Sequence, residues 1–167
     1  PLFNQKKYIV LFFYLIGSLV FLTLIPSTQG YYAPGIIFGC FGLVWFNDSW
    51  AYIIGKNFGK HKLYERISPK KSVEGFIGGI CASLVGAWVV FTLTKELSLT
   101  HWLAIALIIS IFGTIGDLIQ SKFKRQASVK DSGNIMPGHG GLFDRLDSIL
   151  FASPFIYTYL QFIDYVS

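Results

Sequence analysis

The stretch GFIGGICASLVGAWVVFTLT, residues 75–94, runs for twenty residues without one charged side chain. An α-helix rises about 1.5 Å per residue, so this stretch can span about 30 Å, the thickness of the hydrocarbon core of a bilayer. Its apolar residues are continuous rather than alternating, which argues against a membrane-spanning β-strand. The stretch therefore predicts a transmembrane helix.

Four other stretches share this character, namely Tyr8–Ile25, Gly35–Ile54, Trp102–Ile119 and Ile149–Val166. The chain has 167 residues, of which 53% are hydrophobic and 14% charged, and its mean hydropathy is +0.53. Soluble domains carry about 25% charged residues. We therefore predict an all-α polytopic membrane protein with about five transmembrane helices and two basic cytosolic loops. Its length allows a single domain, residues 1–167, in which the two cysteines are packing residues rather than a disulfide or zinc pair.

The Lys and Arg residues avoid the apolar stretches and gather on one side of the predicted membrane. The N-terminal segment and the second and fourth loops hold 13 of the 14, which leaves Lys95 on the other side. Because cytoplasmic loops carry the excess of Lys and Arg, this pattern places the N-terminus and both basic loops in the cytosol. Aromatic residues at the ends of stretches are predicted to lie at the membrane interface: Tyr31, Tyr32, Trp102 and Tyr165.

Small residues recur at every fourth position of the third stretch, at Gly75, Gly79, Ser83 and Ala87. Such a stripe lets another helix approach closely. That helix can belong to the same chain or to a second copy, and the sequence leaves both alternatives open.

The segment SKFKRQASVKDSGNIMPGHGGLFDRLD, residues 121–147, combines cations, glycines and carboxylates. Lys and Arg bind phosphate oxygens, and Gly-rich backbone can present N–H groups to an anion. Magnesium takes one or two carboxylates together with phosphate oxygens. A solvated basic loop with helix-capping aspartates is the alternative, but GHGG beside DRLD favours a magnesium–nucleotide site. The candidate residues are Lys124, Arg125, Lys130, Asp131, His139, Gly140, Gly141, Asp144 and Asp147.

Two carboxylates, Asp48 and Asp117, lie inside apolar stretches near their predicted cytosolic ends. Ionisable groups at such depth are costly and usually face a polar cavity. The alternative is a salt bridge to a lysine of a neighbouring loop. Because Asp117 adjoins the basic segment, it can share a metal ion with Asp144.

Other polar residues give weaker signals. Lys70 and Lys71, in SPKKSVEGFIGG, can either reach phosphates or serve only as charges that orient the chain. Ser72 is placed to cap the third helix at its N-terminus. His61 and His101 are predicted to be surface residues.

The segment 121–147 resembles the signature of the phosphatidate cytidylyltransferase family. The matching positions are Ser121, Lys124, Arg125, Lys130, Asp131, Pro137, His139, Gly140, Gly141, Asp144, Arg145 and Asp147. Two upstream segments, NDSWAYIIGKNFGKHKL and ISPKKSVEGFIGG, also resemble the family, although Trp50 stands where Gly is common there and Met136 replaces a branched or aromatic residue. The resemblance covers about residues 48–147. Because family members carry further N-terminal spans, the chain is interpreted as the C-terminal part of a longer protein.

The resemblance implies that CTP and phosphatidate react to give CDP-diacylglycerol and pyrophosphate, with magnesium as cofactor and potassium as a candidate second ion. It implies Asp117 and Asp144 as metal ligands and catalytic residues, with Lys124 and Arg125 as further catalytic residues. The substrate-binding residues are then Asp48, Lys70, Lys71, Ser121, Lys130, Asp131, His139, Gly140, Gly141, Arg145 and Asp147. A homodimer in the lipid bilayer is also implied, in a bacterial inner (plasma) membrane, with the site facing the cytosol and no nucleic-acid partner.

Two other functions stay open. A cytidylyltransferase for another lipid phosphate, such as an ether-lipid acceptor, would share the nucleotide site and differ in the spans that hold the lipid. An anion transporter or channel would use Asp48 and Asp117 to line a path. A transporter does not need GHGG and DRLD together at one face, which favours the enzyme.

Overall fold

The computed structural model describes residues 2–28, 30–65, 67–126 and 143–166, with side chains described outside residues 2–11, 13 and 143–145. Within these residues the chain forms six α-helices: α1 (Leu2–Leu24), α2 (Pro34–Phe58), α3 (Val73–Thr94), α4 (Leu99–Ile108), α5 (Thr114–Gln126) and α6 (Phe143–Val166). A 3-10 turn at Ile25–Ser27 follows α1, and a π-helical turn at Ile109–Gly113 joins α4 to α5.

Four helical segments of the described chain are long and apolar enough to cross a membrane: Pro34–Phe58, Val73–Thr94, Leu99–Gln126 and Leu146–Val166. A fifth apolar helix, Tyr14–Ser27, is shorter. It packs along α6, where the Ser153 hydroxyl donates to the backbone carbonyl of Ser18 at 2.8 Å. These helices confirm the predicted all-α polytopic membrane fold.

The fourth span continues beyond its predicted end at Ile119, because α5 runs seven residues further to Gln126. Lys, Arg and Gln are good helix formers, and cations are favourable near a helix C-terminus, so the helix persists where the apolar pattern stops. Part of the second basic loop is therefore helical, which corrects the prediction for Ser121, Lys124 and Arg125.

The first basic loop contains a small antiparallel hairpin that the sequence did not predict. Strand β1 (Lys62–Tyr64) pairs with β2 (Ser68–Ser72), and the register is irregular between the two paired positions. Strands this short and polar carry no alternating apolar pattern. The hairpin continues directly into α3, whose N-terminus is capped as predicted, because the Ser72 hydroxyl accepts from the Gly75 N–H at 3.1 Å.

Glu74, in the first turn of α3, holds the base of the hairpin. Its carboxylate accepts from the backbone N–H groups of Lys60 and His61, each at 3.1 Å. It also lies 2.7 Å from Nδ1 of the His61 ring, whose side chain is exposed as predicted. Glu74 thus ties the start of the hairpin to the first turn of α3, into which the hairpin also continues.

The small-residue stripe of α3 packs against α2 of the same chain. A Cβ added at Gly79 would lie 2.9 Å from Oδ1 of Asn47 and 3.1 Å from the Ala51 Cβ. The Ser83 hydroxyl donates to the same Asn47 oxygen at 3.4 Å. Of the two alternatives for the stripe, the structure supports packing within one chain, so the stripe does not support a homodimer.

Trp102 lies in the core and not at the membrane interface, which corrects the prediction. Its side chain is fully buried, and a Cβ added at Gly39 would lie 2.3 Å from its ring. Because α2 approaches α4 so closely at this point, Gly39 makes room for the indole. The other three predicted interface residues are exposed, as expected: Tyr31, Tyr32 and Tyr165.

Three minor predictions can also be compared with the structure. Cys40 is buried, as expected of a packing residue, whereas Cys81 is exposed, which corrects that part of the prediction. His101, predicted at the surface, is partly buried, and its Nδ1 lies 3.0 Å from the Tyr159 hydroxyl. That contact links α4 to α6, so His101 has a structural partner.

Candidate active site

A cavity of about 320 Å³ lies where the end of α2, the start of α3, the helix α5 and the start of α6 meet the hairpin. Its charged lining consists of three carboxylates from three different helices and two lysines from β2: Asp48, Lys70, Lys71, Asp117 and Asp147. These five side chains were all predicted to belong to the site. The folded chain thus brings together residues from four separate sequence segments.

Asp117, on α5, contacts two other side chains of the site. Lys71 forms a salt bridge with its Oδ2 atom, and the Ser121 hydroxyl donates to its Oδ1 atom at 3.3 Å. Ser121 follows Asp117 by four residues, so the two share one face of α5. Asp117 therefore faces a polar cavity, as predicted, and the alternative of a salt bridge to a loop lysine is also realised.

Asp48, in the C-terminal half of α2, is accessible at the cavity. It accepts from Nδ2 of Asn47 at 3.1 Å, and its charge interacts with those of Lys71 and Asp117. Asn47 is buried and also lines the cavity. Asn47 was not predicted to belong to the site, although an amide inside an apolar stretch beside an aspartate is a signal in the sequence for such a role.

Asp147, in the first turns of α6, is buried, with 8% of its surface exposed. Its Oδ1 atom accepts from the backbone N–H of Ser148 at 2.8 Å, and its charge interacts with Asp117 and Lys124. A Cβ added at Gly116 would lie 3.1 Å from the backbone carbonyl of Asp147. This close contact between α5 and α6 holds the two carboxylates on facing helices.

The π-helical turn just before α5 is a second feature that the sequence did not predict. Such turns often occur near functional sites. Here Thr114, which lines the cavity, donates its hydroxyl to the backbone carbonyl of Ser110 at 2.8 Å. The extra residue of a π-turn changes the rotation of the helix that follows it, and Asp117 lies one turn after this point.

The donor set of the cavity suits a hard divalent cation. Three carboxylates face two lysines, so the formal charge of the lining is negative, and Asp117 already contacts a cation in the form of Lys71. Among the residues that the structure describes, no group of three or more His, Cys, Asp or Glu forms a ready metal cluster. Magnesium does not require one, because it binds through one or two carboxylates and completes its octahedron with water and phosphate oxygens.

Part of the predicted site lies outside the described residues, namely Lys130, Asp131, His139, Gly140 and Gly141. Asp144 and Arg145 belong to the first turn of α6, as the helix starts at Phe143, but their side chains are also outside the described part. Asp144 and Asp147 therefore lie on one helix, three residues apart. The joint site of Asp117 and Asp144 stays a prediction.

Comparison with known proteins shows what this chain is similar to. The pattern of the cytidylyltransferase family matches residues 2–163. A phosphatidate cytidylyltransferase of Bacillus subtilis (strain 168) is 50% identical over 127 residues, which cover 75% of this chain and 46% of the relative. One of Staphylococcus haemolyticus (strain JCSC1435) is 50% identical over 117 residues, covering 70% of this chain and 45% of the relative. The chain spans about half the length of the curated relatives it matches.

Proposed function

Because the chain belongs to the cytidylyltransferase family, we propose that its cavity transfers the cytidylyl group of CTP to phosphatidate, giving CDP-diacylglycerol and pyrophosphate. The names of the similar proteins support both substrates. The observation that carries the proposal is the cavity at the ends of the spans, with Asp48, Asp117 and Asp147 opposite Lys70 and Lys71. At the ends of the membrane spans, a lipid phosphate can meet a water-soluble nucleotide.

The reaction is a phosphoryl transfer between two polyanions. A phosphate oxygen of phosphatidate forms a bond to the α-phosphorus of CTP. The bond between that phosphorus and the oxygen that bridges it to the β-phosphorus breaks, so pyrophosphate leaves with the electron pair. The attacking oxygen is already ionised near pH 7, so no protein base is required. The protein then has to align the two substrates and offset their charge.

The lysines and the arginine of the site are suited to offset that charge. Lys70 and Lys71 approach the cavity from the hairpin, on the side away from the spans. Lys124 and Arg125 lie in the last turn of α5, and the charge of Lys124 interacts with Asp147. We assign these four residues to the phosphates of CTP and of the departing pyrophosphate, with Ser121 positioned beside Asp117.

We assign a magnesium ion to Asp117 and Asp144, with potassium as a candidate second ion. When bound, magnesium supplies positive charge at the phosphate oxygens and orients them. Asp48 and Asp147 contribute further negative charge around that position, and Asn47 and Ser148 hold these two carboxylates in place.

We further propose that the protein lies in the bacterial inner (plasma) membrane, with the cavity on the cytosolic face, where CTP is available. The charge asymmetry of the sequence supports this orientation. A homodimer is supported by the family resemblance alone.

The activity is tested by offering the full-length protein radiolabelled CTP together with phosphatidate and an ether-lipid phosphate in competition. We expect the label to enter a lipid product, with phosphatidate as the preferred acceptor. Preference for the ether lipid would identify the alternative acceptor. A protein that binds or transports CTP without forming labelled lipid would contradict the proposed reaction.

The proposed orientation predicts which positions an impermeant maleimide can reach. In a background without Cys40 and Cys81, Lys62→Cys and Ser128→Cys should be labelled only after the cytosolic side is exposed, because both lie in basic segments. Lys95→Cys, between α3 and α4, serves as the matched control and should be labelled in intact cells. Labelling of Lys62→Cys or Ser128→Cys in intact cells would show that the orientation is wrong.

A further inference from the structure

We propose that Lys71 is the resident counter-ion of Asp117 in the metal-free protein, and that it leaves this carboxylate when a divalent cation binds there. Lys71 then turns to the phosphates of the nucleotide. This inference rests on the proposed function, since it takes Asp117 as a metal ligand. It adds a coupling between the cation and a substrate-binding lysine.

Both oxygens of Asp117 have partners within the chain. Lys71 contacts Oδ2, while the Ser121 hydroxyl contacts Oδ1 at the longer distance of 3.3 Å. A divalent cation needs a carboxylate oxygen at close range. An ammonium group on the same carboxylate would then lie within a few ångströms of a double positive charge. The neutral hydroxyl of Ser121 can stay, but Lys71 cannot.

The ammonium group of Lys71 can move further than the carboxylate of Asp117. Asp117 belongs to a span whose helix is packed against α6 at Gly116. Lys71 belongs to the two-stranded hairpin outside the spans, which is attached at its base by Glu74. Both side chains are 27% exposed, but Lys71 carries its ammonium group on a flexible four-carbon stem, whereas the Asp117 carboxylate is two bonds from the helix backbone. Movement therefore falls on Lys71.

A released Lys71 has a place to go within the same cavity. It lines the cavity together with Lys70, and its charge already interacts with Asp48 on the opposite helix. Rotation about its side-chain bonds keeps the ammonium group at the cavity while taking it off Asp117. Released in this way, Lys71 becomes available to a phosphate oxygen.

The arrangement couples the binding of metal and nucleotide. In the metal-free protein Lys71 neutralises Asp117 and is withheld from phosphate. When the cation takes over Asp117, the cavity gains both the cation and a free lysine, so each ligand favours the other. The coupling is a property of the Lys71–Asp117 pair and does not require a change in the spans.

The first test measures Mn²⁺ binding to the nucleotide-free protein by electron paramagnetic resonance. Lys71→Met removes the competing cation, so we expect Mn²⁺ affinity to rise about fivefold, the value of one partly exposed ion pair. Lys70→Met makes the same charge change in the same cavity without an ion pair to Asp117, and should have a clearly smaller effect. An affinity that is unchanged or lowered in Lys71→Met, or raised equally in both variants, would overturn the inference.

The second test needs no substitution at Lys71. An amine-reactive reagent is applied to the wild-type protein with and without saturating Mn²⁺, and modification of each lysine is read by mass spectrometry. We expect Mn²⁺ to increase the modification of Lys71 severalfold and to leave Lys70 unchanged. Equal modification of Lys71 in both conditions, while Mn²⁺ is bound, would show that the ion pair is not displaced.

Asp117→Asn separates this inference from the proposed function. If this variant keeps wild-type Mn²⁺ affinity, the metal assignment is wrong, and the inference is wrong with it. If the variant loses Mn²⁺ binding while Lys71 in the wild-type protein does not respond to Mn²⁺, the metal assignment stands and the inference alone is wrong.

Discussion

Asp117→Asn is expected to lower the rate of CTP turnover by at least about a hundredfold, and Asp144→Asn by a similar factor, because each removes a charge that opposes a dication. Asparagine keeps the shape and one oxygen of the carboxylate. Asp117 is fixed on a span, faces the cavity and already contacts a cation, Lys71. Turnover measured against magnesium concentration should show the loss in both single variants.

The two losses should be far from additive, because either substitution disables the same site. Protein yield should change little, since a partly exposed ion pair such as Lys71–Asp117 contributes only about 0–1 kcal/mol. Asp164→Asn is the matched control: it makes the same change near the other end of α6, at an exposed carboxylate. Either active-site variant with wild-type rate and magnesium dependence would rule out the shared metal site.

The spans could be predicted from the sequence because they depend on local composition. The stretch at residues 75–94 lacks charge over the thickness of a bilayer, and α3 occupies Val73–Thr94. The capping serine at its start was also visible, because the chemistry of a helix N-terminus lies within three residues. Such features require no knowledge of which helices are neighbours.

The direction in which a side chain points could not be predicted in the same way. Trp102 is an aromatic residue at the end of an apolar stretch, which is typical of the membrane interface, yet it is buried against Gly39. In a helix that is apolar on every side, the spacing of apolar residues does not show which face is buried in the protein. Which face meets the protein and which meets lipid is decided by the packing of α2 against α4.

For the site, the sequence supplied the residues but not their partners. Asp48 and Asp117 were predicted to face a cavity because charge is costly within a span. The pairing of Asp117 with Lys71 joins segments far apart in the chain, through a hairpin without a sequence signature, so no local pattern could predict it. Asn47 was missed for a related reason, since its role depends on contact with both Asp48 and Ser83.

The end of the fourth span was predicted too early because hydropathy was used to place it. The apolar pattern stops near Ile119, but the hydrogen-bonded backbone of α5 continues to Gln126. This continuation matters for function, because the two cations in its last turn are then positioned by a helix rather than by a loop. Lys124 and Arg125 are held by the same rigid element as Asp117.

Arg125→Ala is expected to lose about 2–5 kcal/mol of transition-state stabilisation, or roughly thirtyfold to several thousandfold in kcat/KM, if a buried charge-assisted pair with phosphate is removed. The position of the residue supports this expectation. Arg125 lies two turns beyond Asp117 on α5, next to Lys124, whose charge interacts with Asp147 in the cavity lining. From the end of α5 its guanidinium can reach a phosphate that a carboxylate-bound cation also contacts.

Three further variants make the Arg125 prediction specific. Arg125→Lys keeps the charge but loses the planar fork that binds two phosphate oxygens at once, so its kcat/KM should fall between those of the wild type and Arg125→Ala. Lys122→Ala removes a cation from an exposed position of the same helix and should leave kcat/KM nearly unchanged. Lys124→Ala should resemble Arg125→Ala, because both side chains are assigned to the same phosphates. A near-normal rate in Arg125→Ala and Lys124→Ala at normal expression would mean that these residues only orient the chain in the membrane, since topology depends on charge and not on phosphate contact.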